Sequence, residues 1–152
     1  MKKIKQNKAP APDLAKVADR LHSAAIHLLR RVRKQDAASG EGPARLSALS
    51  VLVFGGPMTL GDLAAAERVR PPTMTRIVTG LERSGLAQRK ADPADFRRVR
   101  IRATGKGVRL LKRGRNRRID YLARHLNVLA DEELEALKKA ADILEKLLEQ
   151  WT

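Results

Sequence analysis

Arginine and lysine are the residues of this sequence with chemistry to offer. They number 32 in 152 residues, against 17 Asp and Glu, for a net charge of +15 and a pI near 11.1. A field of that sign attracts polyanions, nucleic acid above all. Other chemistries lack their residues. There is no cysteine, which removes disulfides, thiol nucleophiles, thiolate metal sites and thiol redox sensing. His22 and His27 lie five apart and His125 is remote, a spacing that makes no metal set, so neither metal nor cofactor is expected. No Ser-His-Asp order, P-loop or G-x-G-x-x-G stands out, so the chain does not read as an enzyme.

The bases are not spread evenly. Residues 104–129 hold eight against one acid, and residues 85–103 hold six against two. Residues 130–152 reverse the sign, with seven acids and three bases. Within 71–84, Met74, Ile77 and Leu81 recur at helical spacing. That periodicity leaves Thr73, Thr75, Arg76, Thr79 and Arg83 facing outward or nearly so. A helix so presented fits the roughly 12 Å major groove of duplex DNA. Arg97 and Arg98 follow in a short hairpin that would lie beside it.

The elements that must position these residues follow from pattern. Residues 1–12 read as a disordered basic arm broken by Pro10 and Pro12. Asp13 is placed to cap a first helix with Leu14, Val17, Leu21, Ala25, Leu28 and Val32 on one stripe. A loop is expected over 38–43, then a second helix from about Ala44 to Phe54, stopped by Gly55-Gly56-Pro57. Thr59, with Asp62 three residues on, caps a short helix from Leu60 to Glu67. The next helix opens at Pro71-Pro72, where missing N–H groups cost nothing, and closes before Gly85. The period then becomes two: Leu86–Lys90 and Arg98–Arg102 read as strands joined by the turn 91–96. A helix from Gly105 to about Leu129 shows Val108, Leu111, Ile119, Leu122 and Leu126 on one face. Asp131 is placed to cap a last helix with Leu134, Leu137, Ala141, Leu144 and Leu148 inside. With 43% hydrophobic and only 3% aromatic residues, the core must be aliphatic.

Helix, short helix, tight turn, helix and hairpin make a winged helix-turn-helix. Residues 58–105 resemble the MarR family of regulators. The matching pieces are L-x-x-L-A at Leu60–Ala64, P-x-x-T-R at Pro72–Arg76, L-E-x-x-G-L at Leu81–Leu86 and D-P-x-D-x-R at Asp92–Arg97. A-T-x-x-G at Ala103–Gly107 stands where the family usually has L-T-x-x-G. The resemblance extends, through the long flanking helices, over about residues 13–150. It implies a mainly α fold with a small β-hairpin wing: a winged helix-turn-helix lobe over 37–103 and a helical dimerisation region from 13–36 and 104–152. It implies a homodimer on a pseudo-palindromic double-stranded DNA operator, a repressor by family habit, with the wing arginine in the minor groove; the lack of cysteine is compatible with a cytoplasmic home. It also implies a small aromatic ligand in the cleft between the dimer helices and the lobe. His22 and His27 are then the expected polar handles. Two departures stand out. Arg70 occupies the place of the usual Ser or Thr cap, so the proline pair sets the helix entry and Arg70 is free to meet a phosphate. The wing reads D-F-R-R rather than D-R-R, so Phe96 displaces one arginine and Arg97 keeps the place of the other.

Each assignment has a plainer competitor. Arg76 is expected to read a base, against a phosphate contact. Thr75 fits phosphate or packing better than base readout. Asp95 is expected to orient the wing through Arg97 or backbone N–H groups, against a simple turn-former. The run from Lys112 to Arg118 is either a solvated face or a non-specific DNA attractor. A general architectural or RNA-binding protein is the main rival function, and scarce aromatics argue against stacking single strands. A non-binding scaffold and a PadR-like regulator are weaker rivals. No apolar run is long enough to span a membrane, and no apolar stretch follows the basic N-terminus as in a secretory signal.

Overall fold

The computed structural model describes residues 12–92, 95 and 97–151. The elements run α1 (Pro12–Arg33), a 3-10 helix (Lys34–Ser39), α2 (Pro43–Phe54), α3 (Leu60–Ala66) and α4 (Pro71–Arg83). They continue with β1 (Ala87–Ala91), β2 (Val99–Ala103), α5 (Gly105–Leu126) and α6 (Asp131–Glu149). The arm expected over residues 1–12 lies outside the described residues, except that Pro12 opens α1.

One aliphatic core holds α2, α3, α4 and the hairpin together. Leu49, Leu63, Met74, Val78, Leu81, Leu86 and Ile101 are its fully buried larger side chains. Burying each stabilises the lobe by about 1.5–3 kcal/mol relative to exposure. Ile77, expected inside, is half-buried at its margin, as is Val69. β1 and β2 pair antiparallel, with Arg89 opposite Ile101 and Lys90 opposite Arg100. On the other edge of β2, Ile101 exchanges two backbone hydrogen bonds with Met58, at 3.1 and 2.8 Å. The wing is thereby stitched to the segment that enters α3.

Several local expectations are corrected. Asp13 sits inside the first turn of α1, where a carboxylate favours the helix dipole, rather than at its cap. The loop expected from residue 38 begins only at Gly40, because residues 34–39 continue as a 3-10 helix that Gly40 ends at φ 73°. Asp131 is likewise the first residue of α6, and Ala130 is its N-cap. There Glu133 Oε2 accepts the Ala130 N–H at 3.0 Å, so the acid three residues in does the capping. The strands sit one residue later than expected. α5 ends at Leu126, and its Val108 and Ile119 are exposed while Leu110 and Leu111 pack on the core.

Among the described residues, neither α1 nor α6 has a fully buried side chain. Val17 is 63% exposed, Ile143 65% and Leu148 54%. No helix among the described residues is long and apolar enough to cross a membrane.

Candidate nucleic-acid interface

α3 and α4 form the helix-turn-helix. The Thr59 side chain accepts from the Asp62 N–H at 3.2 Å, and the Thr59 N–H reaches Asp62 Oδ2 at 3.4 Å. The capping box read from the sequence is therefore present. Three backbone bonds close the turn after α3: Glu67 N–H to Leu63, Arg68 N–H to Ala65 and Val69 N–H to Ala64. The turn requires Arg68 at φ 53°, a left-handed conformation that L side chains rarely adopt. Nothing in the sequence pattern marked that residue.

α4 starts as the proline pair suggested. Arg70 is extended, at φ −72° and ψ 146°, and its side chain makes no capping bond. It is exposed, available to an anion. Met74, Val78 and Leu81 turn inward. Val78 is a core residue missed by the sequence reading, although its spacing from Met74 is one turn. Thr75, Arg76 and Arg83 are exposed, while Thr73 and Thr79 are half-buried. The Thr75 hydroxyl donates to the Pro71 carbonyl at 3.0 Å, so its proton is used within the helix and only its lone pairs face outward. Arg76 and Arg83 are thus the long cationic side chains on the outer face of α4.

The wing carries the second basic group. Asp95 Oδ1 accepts the backbone N–H of Arg97 at 3.0 Å. The Asp95 carbonyl accepts the N–H of Arg98 at 2.8 Å. Its other carboxylate oxygen lies 3.8 Å from Arg98 Nε. Asp95 therefore shapes the turn through a backbone N–H, and the side chain it faces is Arg98. Arg97 is exposed beside it.

Three devices outside the sequence reading hold α4. The Glu82 carboxylate pairs with Arg89 of β1, on the same face of the hairpin as Ile101. At the C-terminus of α4, Lys106 Nζ donates to the Ser84 carbonyl at 2.8 Å and Thr104 Oγ1 to the Gly85 carbonyl at 2.7 Å. Cations and donors belong at that end of a helix, where carbonyls are unpaired. Finally, Gly107 must be glycine. A Cβ there would lie 2.3 Å from the Leu86 carbonyl oxygen, a backbone atom that already accepts the Thr104 N–H at 2.9 Å. The A-T-x-x-G signature is thus the joint between α5 and the recognition helix.

An open hollow of about 840 Å³ lies between the end of α1, the 3-10 helix, α2 and α5. Leu29, Val32, Leu46 and Leu111 supply apolar walls, and an Asp36–Arg118 ion pair stands in it. Neither His22 nor His27, the polar handles expected of a ligand cleft, lines this hollow. His27 precedes Leu29 by two residues and is rotated about 200° round the helix from it. His22 lies nearly two turns further up. Among the described residues no group of three or more His, Cys, Asp or Glu could hold a metal ion.

A positive recognition helix braced by a short helix, with a two-stranded wing carrying arginines beside it, defines a winged helix-turn-helix protein. The family model described as MarR family matches residues 43–99. The chain is 35% identical to an HTH-type transcriptional regulator of Mycobacterium leprae (strain TN) over 136 residues, covering 90% of this chain and 95% of that one. It is 37% identical to one of Mycobacterium tuberculosis (strain CDC 1551 / Oshkosh), with the same coverage. A MarR family protein from Bacillus stearothermophilus superposes with a TM-score of 0.72 at 27% identity, over 93% of this chain and 99% of the other. A Staphylococcus aureus MepR variant, solved bound to an oligodeoxyribonucleotide, shares the fold with a TM-score of 0.69 at 21% identity, over 90% and 98%. The protein belongs to the MarR family of winged helix-turn-helix transcriptional regulators.

Proposed function

We propose that the chain works in the cytoplasm as a homodimer on a pseudo-palindromic duplex operator, as a ligand-responsive repressor. One observation carries this reading. The lobe closes its own core, yet the apolar stripes of α1 and α6 stay exposed in a single chain. Stripes of that length call for a partner, and a second copy would double the reading surface into two half-sites. The helices α1, α5 and α6 then form the dimerisation region. Acidic α6 facing basic α5 of either copy favours the same assembly.

In each half-site α4 fills the major groove. Arg76 reads guanine O6 and N7, Thr75 accepts from or packs against the duplex, and Arg70, Thr73, Thr79 and Arg83 hold phosphates. Arg97 enters the minor groove, Arg98 lies along the backbone, and Asp95 shapes the turn between them. That the oligonucleotide-bound MepR variant shares the fold supports this placement. The hollow beside α5 touches both the flanking helices and the lobe, so a small aromatic molecule bound there would bias their relative arrangement. Selection of bound fragments from random duplexes tests the reading. It should return an inverted repeat. Recovery of every sequence alike would instead make the chain a general architectural protein.

A further inference from the structure

Asp92, directly after β1, is a carboxylate buried to 4% exposure. An unpaired buried charge is costly, and this one is held on several sides. Its Oδ2 accepts from Arg100 Nε at 2.5 Å. Its backbone N–H donates to the Arg98 carbonyl at 2.8 Å, and its carbonyl accepts the Asp95 N–H at 3.2 Å. Arg100 is the second residue of β2, and its Nη1 also reaches the Pro57 carbonyl at 3.4 Å. One guanidinium thus joins the end of β1, the return strand and the segment entering α3. Ile101, the next residue, is the one bonded to Met58. A two-stranded hairpin is marginal by itself. These contacts tie its base to the helix-turn-helix.

We propose that Asp92 and Arg100 are positioning residues that fix the wing's angle against α4, so that Arg97 meets the minor groove while α4 occupies the major groove. The inference rests on the reading of the chain as a duplex-DNA regulator. Neither side chain is placed on the DNA. Their work is to order the wing before binding, which removes an entropy cost otherwise met in the complex. An unlatched wing keeps the charge of Arg97 and loses its placement. The loss should therefore fall on the contact made by Arg97 and spare those made by α4.

A double-mutant cycle on the full chain tests this, with a duplex recovered by selection as the probe. In the wild-type background Arg97→Ala should lower affinity at least about fivefold, a coupling-sized effect. In Asp92→Asn, and separately in Arg100→Gln, the same Arg97→Ala change should lower it by under about twofold. Footprints of both latch variants should lose protection in the flanking minor groove and keep it over the major-groove core. Arg100→Lys, which keeps the charge, should restore part of the flank protection. Equal losses from Arg97→Ala in all backgrounds would overturn the latch. So would protection lost evenly over core and flank, which marks a merely structural pair. If the wild-type chain selects no sequence at all, the functional reading falls and the latch with it.

Discussion

The lobe between α2 and β2 and the helices that flank it solve opposite problems. The lobe contains Leu49, Leu63, Met74 and Ile101, all but inaccessible to water, and presents arginines outward. The flanks present Leu14, Val17, Leu21, Leu134 and Leu148 outward, and nothing among the described residues covers them. The first is a finished fold with an unfinished electrostatic surface, the second an unfinished hydrophobic one. A polyanion completes the former and a second copy the latter. The two should therefore respond to opposite perturbations.

Salt gives the largest separation. A dimer with six to ten phosphate contacts should lose about 10³–10⁵ in DNA affinity between roughly 50 and 200 mM salt. Its mass should not change over that range, because apolar burial is not screened. Fluorescence anisotropy and light scattering on the same samples check both halves, and a flat binding curve would break the comparison.

A charge on the flanks should do the reverse. Leu21→Asp or Leu148→Asp places a carboxylate in the proposed seam and should weaken self-association by about 3–5 kcal/mol, the cost of an uncompensated buried charge. Circular dichroism of the resulting monomer should still report a folded lobe. A variant that stays dimeric would mean these stripes are not the seam.

The joint between the two regions comes next. Gly107→Ala forces a Cβ against the Leu86 carbonyl oxygen and should destabilise the lobe by about 1–3 kcal/mol, as overpacking does. Thermal unfolding measures it, and an unchanged melting temperature would remove the joint from the account.

Within the reading surface the contrast is finer. Arg76→Ala should cost about 1–3 kcal/mol and relax choice at one position per half-site. Arg97→Ala should weaken all operators, most those with A·T-rich flanks, where a narrow minor groove concentrates negative potential. Titration against single-base operator variants distinguishes them. A uniform loss from Arg76→Ala would make that residue a phosphate contact.

The lobe was more legible in the sequence than the flanks, for a physical reason. Its signals are local: Thr59 with Asp62, Pro71-Pro72, Gly85, and a period that changes from helical to two. Core positions such as Met74 and Leu81 follow from spacing. What escaped depends on contacts distant in the chain. Val78 is at helical spacing but needed the neighbouring elements to show which way the stripe is centred. Gly107 matters because of Leu86, 21 residues earlier. Arg100 matters because of Asp92 and Pro57 together. Arg68 carries a backbone conformation that its residue type does not advertise. In the flanks the stripes were visible but their direction was not: on α5 the pattern chose Val108 and Ile119 beside Leu111, and the fold turns Leu111 inward with Leu110 rather than with them. The histidines on α1 were expected at a ligand cleft by chemical type; the hollow is lined by Leu29 and Val32, with His27 rotated off that face and His22 nearly two turns away along it.

The mass of the untreated chain in solution tests the central claim most directly. Sedimentation equilibrium at micromolar concentration should return twice the 16.9 kDa of a single chain, unchanged as salt is raised. A mass of one chain, with α1 and α6 still helical, would contradict it: the exposed stripes would then need another partner, and the two-half-site operator would lose its physical basis.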